Sequence, residues 1–280
     1  MTLPKLPPRA AESNKGDYGR ILLIGGSRGM TGAISMSAKA ALRSGAGLVR
    51  AAVPKSCVET VAGFEPSYMT LGVAEDDNGM MTTHAIDALV EAVKEATVVG
   101  CGPGFGRSEE AVDLVARLYA GIEKPMIVDA DALFALAIRP LAAGAPAGPR
   151  ILTPHPGEFK RLAKIETDMS RDQMEAEARR LAIFMQAVIV LKGHRTLITD
   201  GVQAAHNDTG NPGMATGGSG DVLTGVVTAL VGQGLSVFDA AQLGVHVHGL
   251  AGDLAAADLG QVSLIASDLI DYLPRAFRSL

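Results

Sequence analysis

Residues 97–129 read TVVGCGPGFGRSEEAVDLVARLYAGIEKPMIVD. The apolar run at 97–100 is too short for a helix and ends in a turn of glycines. A stretch of helical period then carries the chain to a second apolar run at 125–129. Strand, crossover and strand of this kind build a parallel sheet whose strands are buried on both faces by helices. Working outward, the same rhythm recurs around apolar runs at 20–24 (RILLI), 48–53 (LVRAAV), 67–71, 150–153 (RILT) and 187–192 (AVIVLK). The fold class is therefore α/β, with a mostly parallel sheet and helices on both faces. The segment 196–206, TLITDGVQAAH, departs from this rhythm, because Asp200-Gly201 between two short alternating runs predicts a tight hairpin and hence one antiparallel edge. Beyond residue 210 a glycine-dense loop opens into an apolar helix, followed by helical segments at about 237–257 and 264–278. The stretch RPLAAGAPAGPR at 139–150 has the composition of a linker, yet the α/β rhythm continues on both sides of it. It is expected to be a surface loop within a single domain spanning 1–280, with residues 1–14 a poorly ordered N-terminal arm.

Composition narrows the class further. Hydrophobic residues make up 48% of the chain and charged residues 20%, which excludes a disordered or fibrous protein. A formal charge of -5 has the wrong sign for binding driven by a phosphate backbone, so nucleic acid is not an expected partner. The two cysteines, Cys57 and Cys101, lie far apart with no C-x-x-C spacing, so no disulfide framework is expected and a reducing cytoplasm fits. The opening MTLPKLPPRAAESNK breaks any apolar stretch with prolines and charges. No apolar run approaches the roughly 20 residues that cross a bilayer, so no membrane association is expected.

The chemistry concentrates in Gly217-Gly218-Ser219-Gly220-Asp221, which leads into an apolar helix. A glycine loop at a helix start presents unpaired N–H groups and the positive end of the helix dipole, a natural phosphate site. A carboxylate there would repel a phosphate unless it had its own task, and taking the proton from an attacking hydroxyl is such a task. A capped glycine turn with no catalytic role is the plainer reading of the same residues. No G-x-x-x-x-G-K-[ST] occurs, so the chain is not a P-loop ATPase. The glycines at 100–106 have the wrong spacing for a dinucleotide fingerprint, and Pro103 lacks the N–H such a site needs. Residues 25–29, GGSRG, match a nucleophile elbow and raise a serine hydrolase, but the strand before them is the first in the chain and nothing upstream can supply the second oxyanion donor. Ser27 is read instead as part of a ligand-lining turn. Asp129 and Asp131, His155 and Glu158, and Lys192 each follow a buried strand, where ligands bind in open α/β sheets. Acidic residues beside a phosphate could hold Mg²⁺ through water. His246 and His248, two residues apart, do not share a helix face and are read as packing or interface residues. Met30, Met36 and Met214 are read as core filling or pocket lining.

The ordered motifs KGDYGRILLIGGSRGMTGA (15–33), GCGPGFG (100–106), DADAL (129–133), LTPHPGEF (152–159), VLKG (190–193) and NPGMATGGSGDVLTG (211–225) resemble the ADP/ATP-dependent NAD(P)H-hydrate dehydratases of the ribokinase-like superfamily. The resemblance runs from about residue 15 to the C-terminus and implies a three-layer α/β/α fold. It implies an enzyme, a hydro-lyase, that restores hydrated NADH or NADPH. ADP, or ATP, phosphorylates the ring hydroxyl with Mg²⁺ as cofactor, and phosphate then leaves. It also implies Asp221 as base and the amides of Gly218, Ser219 and Gly220 as holders of the transferring phosphoryl charge. Ala33, Gly102, Gly104, Gly106, His155 and Asp221 would face the hydrated coenzyme. Lys192, Gly193, His194, Arg195, Thr196 and Gly220 would line the nucleotide. Apart from the resemblance, Asp129 and Glu158 are read from their placement as the carboxylates that could hold Mg²⁺ through water. Family members form homotetramers, and many carry an upstream epimerase domain, which is not expected within this sequence, so that activity is expected from a separate protein. A ribokinase-like kinase of the hydroxyethylthiazole or hydroxymethylpyrimidine type would share GGSGD and release a stable phosphoester. A non-catalytic nucleotide sensor would bind without turnover.

Overall fold

The computed structural model describes residues 3–139 and 146–280, so residues 140–145 of the surface loop expected at 139–150 lie outside the described residues. Among the described residues a single nine-stranded sheet runs in the order β3-β2-β1-β4-β5-β6-β7-β8-β9. The strands are β1 (Arg20–Ile24), β2 (Leu48–Pro54), β3 (Met69–Val73), β4 (Val98–Cys101), β5 (Met126–Val128), β6 (Arg150–Leu152), β7 (Val188–Leu191), β8 (Leu197–Thr199) and β9 (Ala204–His206). The first seven are parallel. The third begins two residues later than the apolar run at 67–71 suggests, because Tyr68 leaves the ladder and donates its hydroxyl to the Val61 carbonyl. The predicted hairpin is β8–β9, and its turn is held by Asp200 Oδ1, which accepts from Val202 N at 2.9 Å and Gln203 N at 2.8 Å. The antiparallel edge is wider than that hairpin alone, because β7 and β8 are also antiparallel.

Side chains of β1 alternate between two cores. Ile21 and Leu23 face a core built with α1 (Thr31–Arg43), α2 (Val58–Ala62), α8 (Ser219–Gly232), α9 (Val237–Leu259) and α10 (Ala266–Arg278). Leu22 and Ile24 face the opposite core, built with α3 (Ile86–Glu95), α4 (Glu109–Gly121), α5 (Ala130–Ile138), α6 (Pro156–Leu162) and α7 (Arg171–Met185). Burial on both faces explains why the strands read as continuous apolar runs, and the result is the expected α/β/α sandwich. β1 pairs with β2 on one side and β4 on the other, so the strand order reverses there and a crevice opens at the carboxyl ends of the strands.

Two contacts fix α8, which carries the glycine loop, against α1. Ser37 Oγ donates to the Asp221 carbonyl at 2.7 Å, and a Cβ on Gly225 would lie 2.1 Å from the Ser37 carbonyl oxygen. The helices approach so closely that only glycine fits. Gly225→Ala is expected to destabilise the protein by about 1–3 kcal/mol by forcing α8 away from α1. Urea unfolding checks this, and an unchanged midpoint would show that the helix pair can slide to make room.

Candidate active site

Three of the polar residues that follow strands meet at one point. Lys192, just after β7, donates from Nζ to Asp129 Oδ1 at 2.9 Å and lies 3.8 Å from Glu158 Oε2. Asp129, just after β5 and 1% exposed, accepts at its other oxygen from Thr224 Oγ1 of α8 at 2.8 Å. Ala130, immediately after it, sits at φ +49°, a strained value for a residue with a Cβ, at the tight turn into α5. Burial disfavours the Lys192 ammonium, but Asp129 and Glu158 outweigh that and hold its pKa above the ordinary lysine value. Burial pushes the Glu158 carboxyl upward; Lys192 opposes this and Asp129 adds to it. The cation between the two carboxylates is thus the lysine itself. Among the described residues no group of three or more His, Cys, Asp or Glu side chains could hold a metal. Asp129 spends both oxygens on protein donors, whereas Glu158 accepts from His155 N with Oε2 at 2.9 Å and keeps Oε1, 3.5 Å from His155 Nε2, as the oxygen able to meet a metal's water shell.

The amino end of α8 faces this ion pair. A Cβ on Gly220 would stand 3.3 Å from Lys192 Nζ and 3.6 Å from Asp129 Oδ2. Gly218 turns the chain at φ +93°, where a Cβ would also meet Met36 at 2.5 Å. In the first turn, Ser219 N makes a long contact to the Thr216 carbonyl at 3.4 Å, and Val222 N bonds the Gly218 carbonyl at 3.1 Å. The N–H groups of Gly220 and Asp221 have no protein partner among the described residues. The Asp221 amide was not among those named from the sequence; its place as the third residue of the helix is the signal that could have found it. The Asp221 carboxyl is pushed up to about 7, first by burial and next by Asp129, with Lys192 opposing and Asp131 and Glu158 adding. A carboxylate held near neutrality at a helix start, beside free amides and an ammonium, can take a proton from a hydroxyl while the amides hold an anion.

A cavity of about 660 Å³ opens from this point. Lys192, Gly193, His194, Arg195, Thr196 and Gly220 all line it, and so does His155. His155 Nδ1 accepts from Gly157 N at 3.0 Å and Glu158 N at 3.3 Å, capping α6. The opposite wall, 207–212 and 214–216, was only partly foreseen, in the motif beginning at Asn211. It is pinned by Asp253 of α9, which accepts from Gly210 N at 2.8 Å and Asn211 Nδ2 at 3.0 Å. Met214 lines the cavity, as does His248, whose Nε2 lies 2.9 Å from the Ser219 carbonyl oxygen.

Ala33 and the second glycine turn form a separate group at the strand-order reversal. A Cβ on Gly104 would lie 3.2 Å from the Ala33 Cβ, and one on Gly102 would lie 1.8 Å from the Asp129 carbonyl oxygen. Asp131 fastens this turn by accepting from Gly106 N at 3.0 Å and Arg107 Nε at 2.7 Å. Ser27 is 1% exposed and donates its hydroxyl to the Gly104 carbonyl at 2.9 Å, so it buttresses the turn and is not presented as a nucleophile.

Comparison with known proteins follows the same lines. A family model described as NAD(P)H-hydrate dehydratase matches residues 21–275. The bifunctional NAD(P)H-hydrate repair enzyme Nnr of Moorella thermoacetica is 47% identical over 279 residues, 99% of this chain and 52% of that protein. The chain spans about half the length of the curated relatives it matches. The ADP/ATP-dependent NAD(P)H-hydrate dehydratase from Bacillus subtilis, co-crystallised with ATP/Mg²⁺, superposes with a TM-score of 0.80 at 30% identity, covering 98% of this chain and 94% of that one. A ribokinase-like superfamily protein from Enterococcus faecalis superposes with a TM-score of 0.82 at 27% identity, over 98% and 92% of the two chains. The fold is ribokinase-like.

Proposed function

The chain belongs to the NAD(P)H-hydrate dehydratase family, and from that premise we propose that it is an ADP-dependent (S)-NAD(P)H-hydrate dehydratase. The observation that supports this reading best is the Asp221 carboxyl, poised near neutrality at the start of α8 beside the free amides of Gly220 and Asp221 and the Lys192 ammonium. The nucleotide would occupy the 660 Å³ cavity along Lys192 to Thr196, with its terminal phosphoryl group on the α8 amides. Asp221 would accept the proton of the ring hydroxyl as its oxygen bonds to phosphorus and the bond to the departing nucleotide breaks. Hydroxide is a poor leaving group and phosphate a good one. The ring nitrogen lone pair would then expel phosphate, the adjacent ring carbon would lose a proton, and the reduced nicotinamide would be restored. Ala33 and the glycine turn at 102, 104 and 106 would face the ring at the strand-order reversal, where ligands bind in open α/β sheets. Mg²⁺ carried in with the nucleotide phosphates would offset their charge, with Glu158 meeting its waters.

By the same proposal residues 1–280 form one dehydratase domain, working in the cytoplasm as a homotetramer. The epimerase that supplies the S hydrate would lie outside these residues. Among the described residues no helix is long and apolar enough to cross a membrane.

Purified protein with Mg²⁺ and fresh NADH hydrate should recover the reduced nicotinamide absorbance when ADP is added and not without nucleotide. Recovery should release one phosphate per coenzyme. A stable phosphoester on a small alcohol, with no recovery of coenzyme under either ADP or ATP, would sink the reading in favour of a small-alcohol kinase.

A further inference from the structure

His248 lies in the middle of α9, 9% exposed, on a helix whose buried face, apart from Phe238 and Gln242, is alanine, valine, leucine and glycine. A polar ring in such a place must satisfy its N–H or lose stability. Nε2 lies 2.9 Å from the Ser219 carbonyl oxygen, which can only accept, so Nε2 carries a proton. Burial lowers its pKa to about 4 against the raising effect of the Ser219 bond, and the Lys192 ammonium favours the neutral ring as well.

We propose that His248 is a positioning residue for phosphoryl transfer: its bond to the Ser219 carbonyl fixes the Ser219–Gly220 peptide plane and so aims the Gly220 N–H at the phosphoryl group. The inference rests on reading the start of α8 as the phosphoryl site. In a trans peptide the C=O and N–H point in opposite directions, so pinning the oxygen sets the direction of the hydrogen. The opening turn of α8 also holds this oxygen, but it is the helix's first turn and glycines flank it. Gly217 and Gly218 precede it, Gly220 follows it, and glycine backbones move freely unless something outside restrains them. Gly220 has no side chain to pack, and the space its Cβ would take lies against Lys192 Nζ and Asp129 Oδ2. A donor that reaches in from α9 adds a second restraint to that of the helix's first turn, and it keeps the Gly220 amide from turning away while leaving it unpartnered for the ligand.

The test compares wild type with His248→Leu, which removes the donor, and His248→Gln, which returns an N–H at a similar reach. Steady-state kinetics on NADH hydrate should show His248→Leu losing about 10- to 100-fold in kcat with the ADP KM within about threefold. His248→Gln should stay within about fivefold of wild type. Unchanged kcat in His248→Leu, a loss carried wholly by KM, or His248→Gln as impaired as His248→Leu would each overturn the proposal. Nitrogen-15 NMR of the wild-type imidazole decides it should the leucine variant not fold. A neutral Nε2–H ring from pH 6 to 8, with the Gly220 amide resonance moving on addition of ADP, is expected. The Nδ1–H tautomer, or a Gly220 resonance indifferent to ADP, would overturn it. Absence of hydrate turnover in the wild type would defeat the proposed function itself, whereas the variant pattern and the tautomer judge His248.

Discussion

Asp221→Asn should lower kcat for hydrate dehydration by about 10³-fold or more, while ADP binding measured by calorimetry stays within a few fold. The size follows from the role, since asparagine keeps the shape of the side chain but cannot take a proton. The wild-type pH dependence should carry the same signature. The Asp221 carboxyl is held up to about 7, so kcat/KM should fall as the pH drops below that value and the base becomes protonated. The residual activity of Asp221→Asn should lack that limb. A wild-type profile flat from pH 6 to 8, or an asparagine variant of near-normal turnover, would remove Asp221 from the proposed chemistry.

The same variant should be more stable than wild type at neutral pH, which separates a strained catalytic group from a helix cap. The folded carboxyl is raised far above its unfolded value of 3.8, so between about pH 4 and 7 the folded state binds the proton more tightly. Ionising Asp221 therefore weakens the fold as the pH rises through that window. Asp221→Asn should gain on the order of 1–3 kcal/mol at pH 8 and almost nothing at pH 4. Denaturant unfolding at the two pH values measures this. A capping aspartate would give a loss instead, because removing a cap destabilises.

What the sequence makes legible here is local. The TVVG and PMIVD runs mark buried strands because burial on both faces demands unbroken apolar residues, and GGSGD marks an anion site because a helix start leaves its first amides unpaired. What it conceals depends on how distant elements meet. Lys192 and Asp129 are 63 residues apart, and the ion pair exists because β5 and β7 both point their carboxyl ends at one spot with β6 between them. Asp129 and Thr224 are 95 residues apart, and His248 reaches Ser219 only because α9 packs beside α8. The wall at 207–210 was missed since its shape comes from Asp253, far along α9. The antiparallel sense of β8 against β7 was within reach of chain length alone: 192–196 is too short to hold a crossover helix, so the next strand must return.

Lys192→Met should be the most damaging single change at the carboxylate cluster, costing about 2–4 kcal/mol of stability at pH 8 and about 10²- to 10³-fold in kcat. The stability loss comes from what stays behind. Asp129 keeps its bond to Thr224, but its other oxygen and Glu158 would face each other in a buried site with no cation between them. Glu158 is already raised by burial, and without the ammonium it rises further above its unfolded value, so the folded variant takes up a proton as the pH falls. The stability gap to wild type should therefore narrow toward pH 5, which unfolding at two pH values can read. The catalytic loss has a separate origin, namely the missing positive charge beside Gly220 and Asp221 where the phosphoryl charge would develop. Lys192→Arg should not rescue it, because a planar guanidinium cannot take the place of a compact ammonium between the two carboxylates. The double variant Lys192→Met with Glu158→Gln separates the two effects: removing the stranded carboxylate should return most of the stability and none of the turnover. Turnover that returned along with stability would make Lys192 a structural counter-ion with no part in phosphoryl transfer.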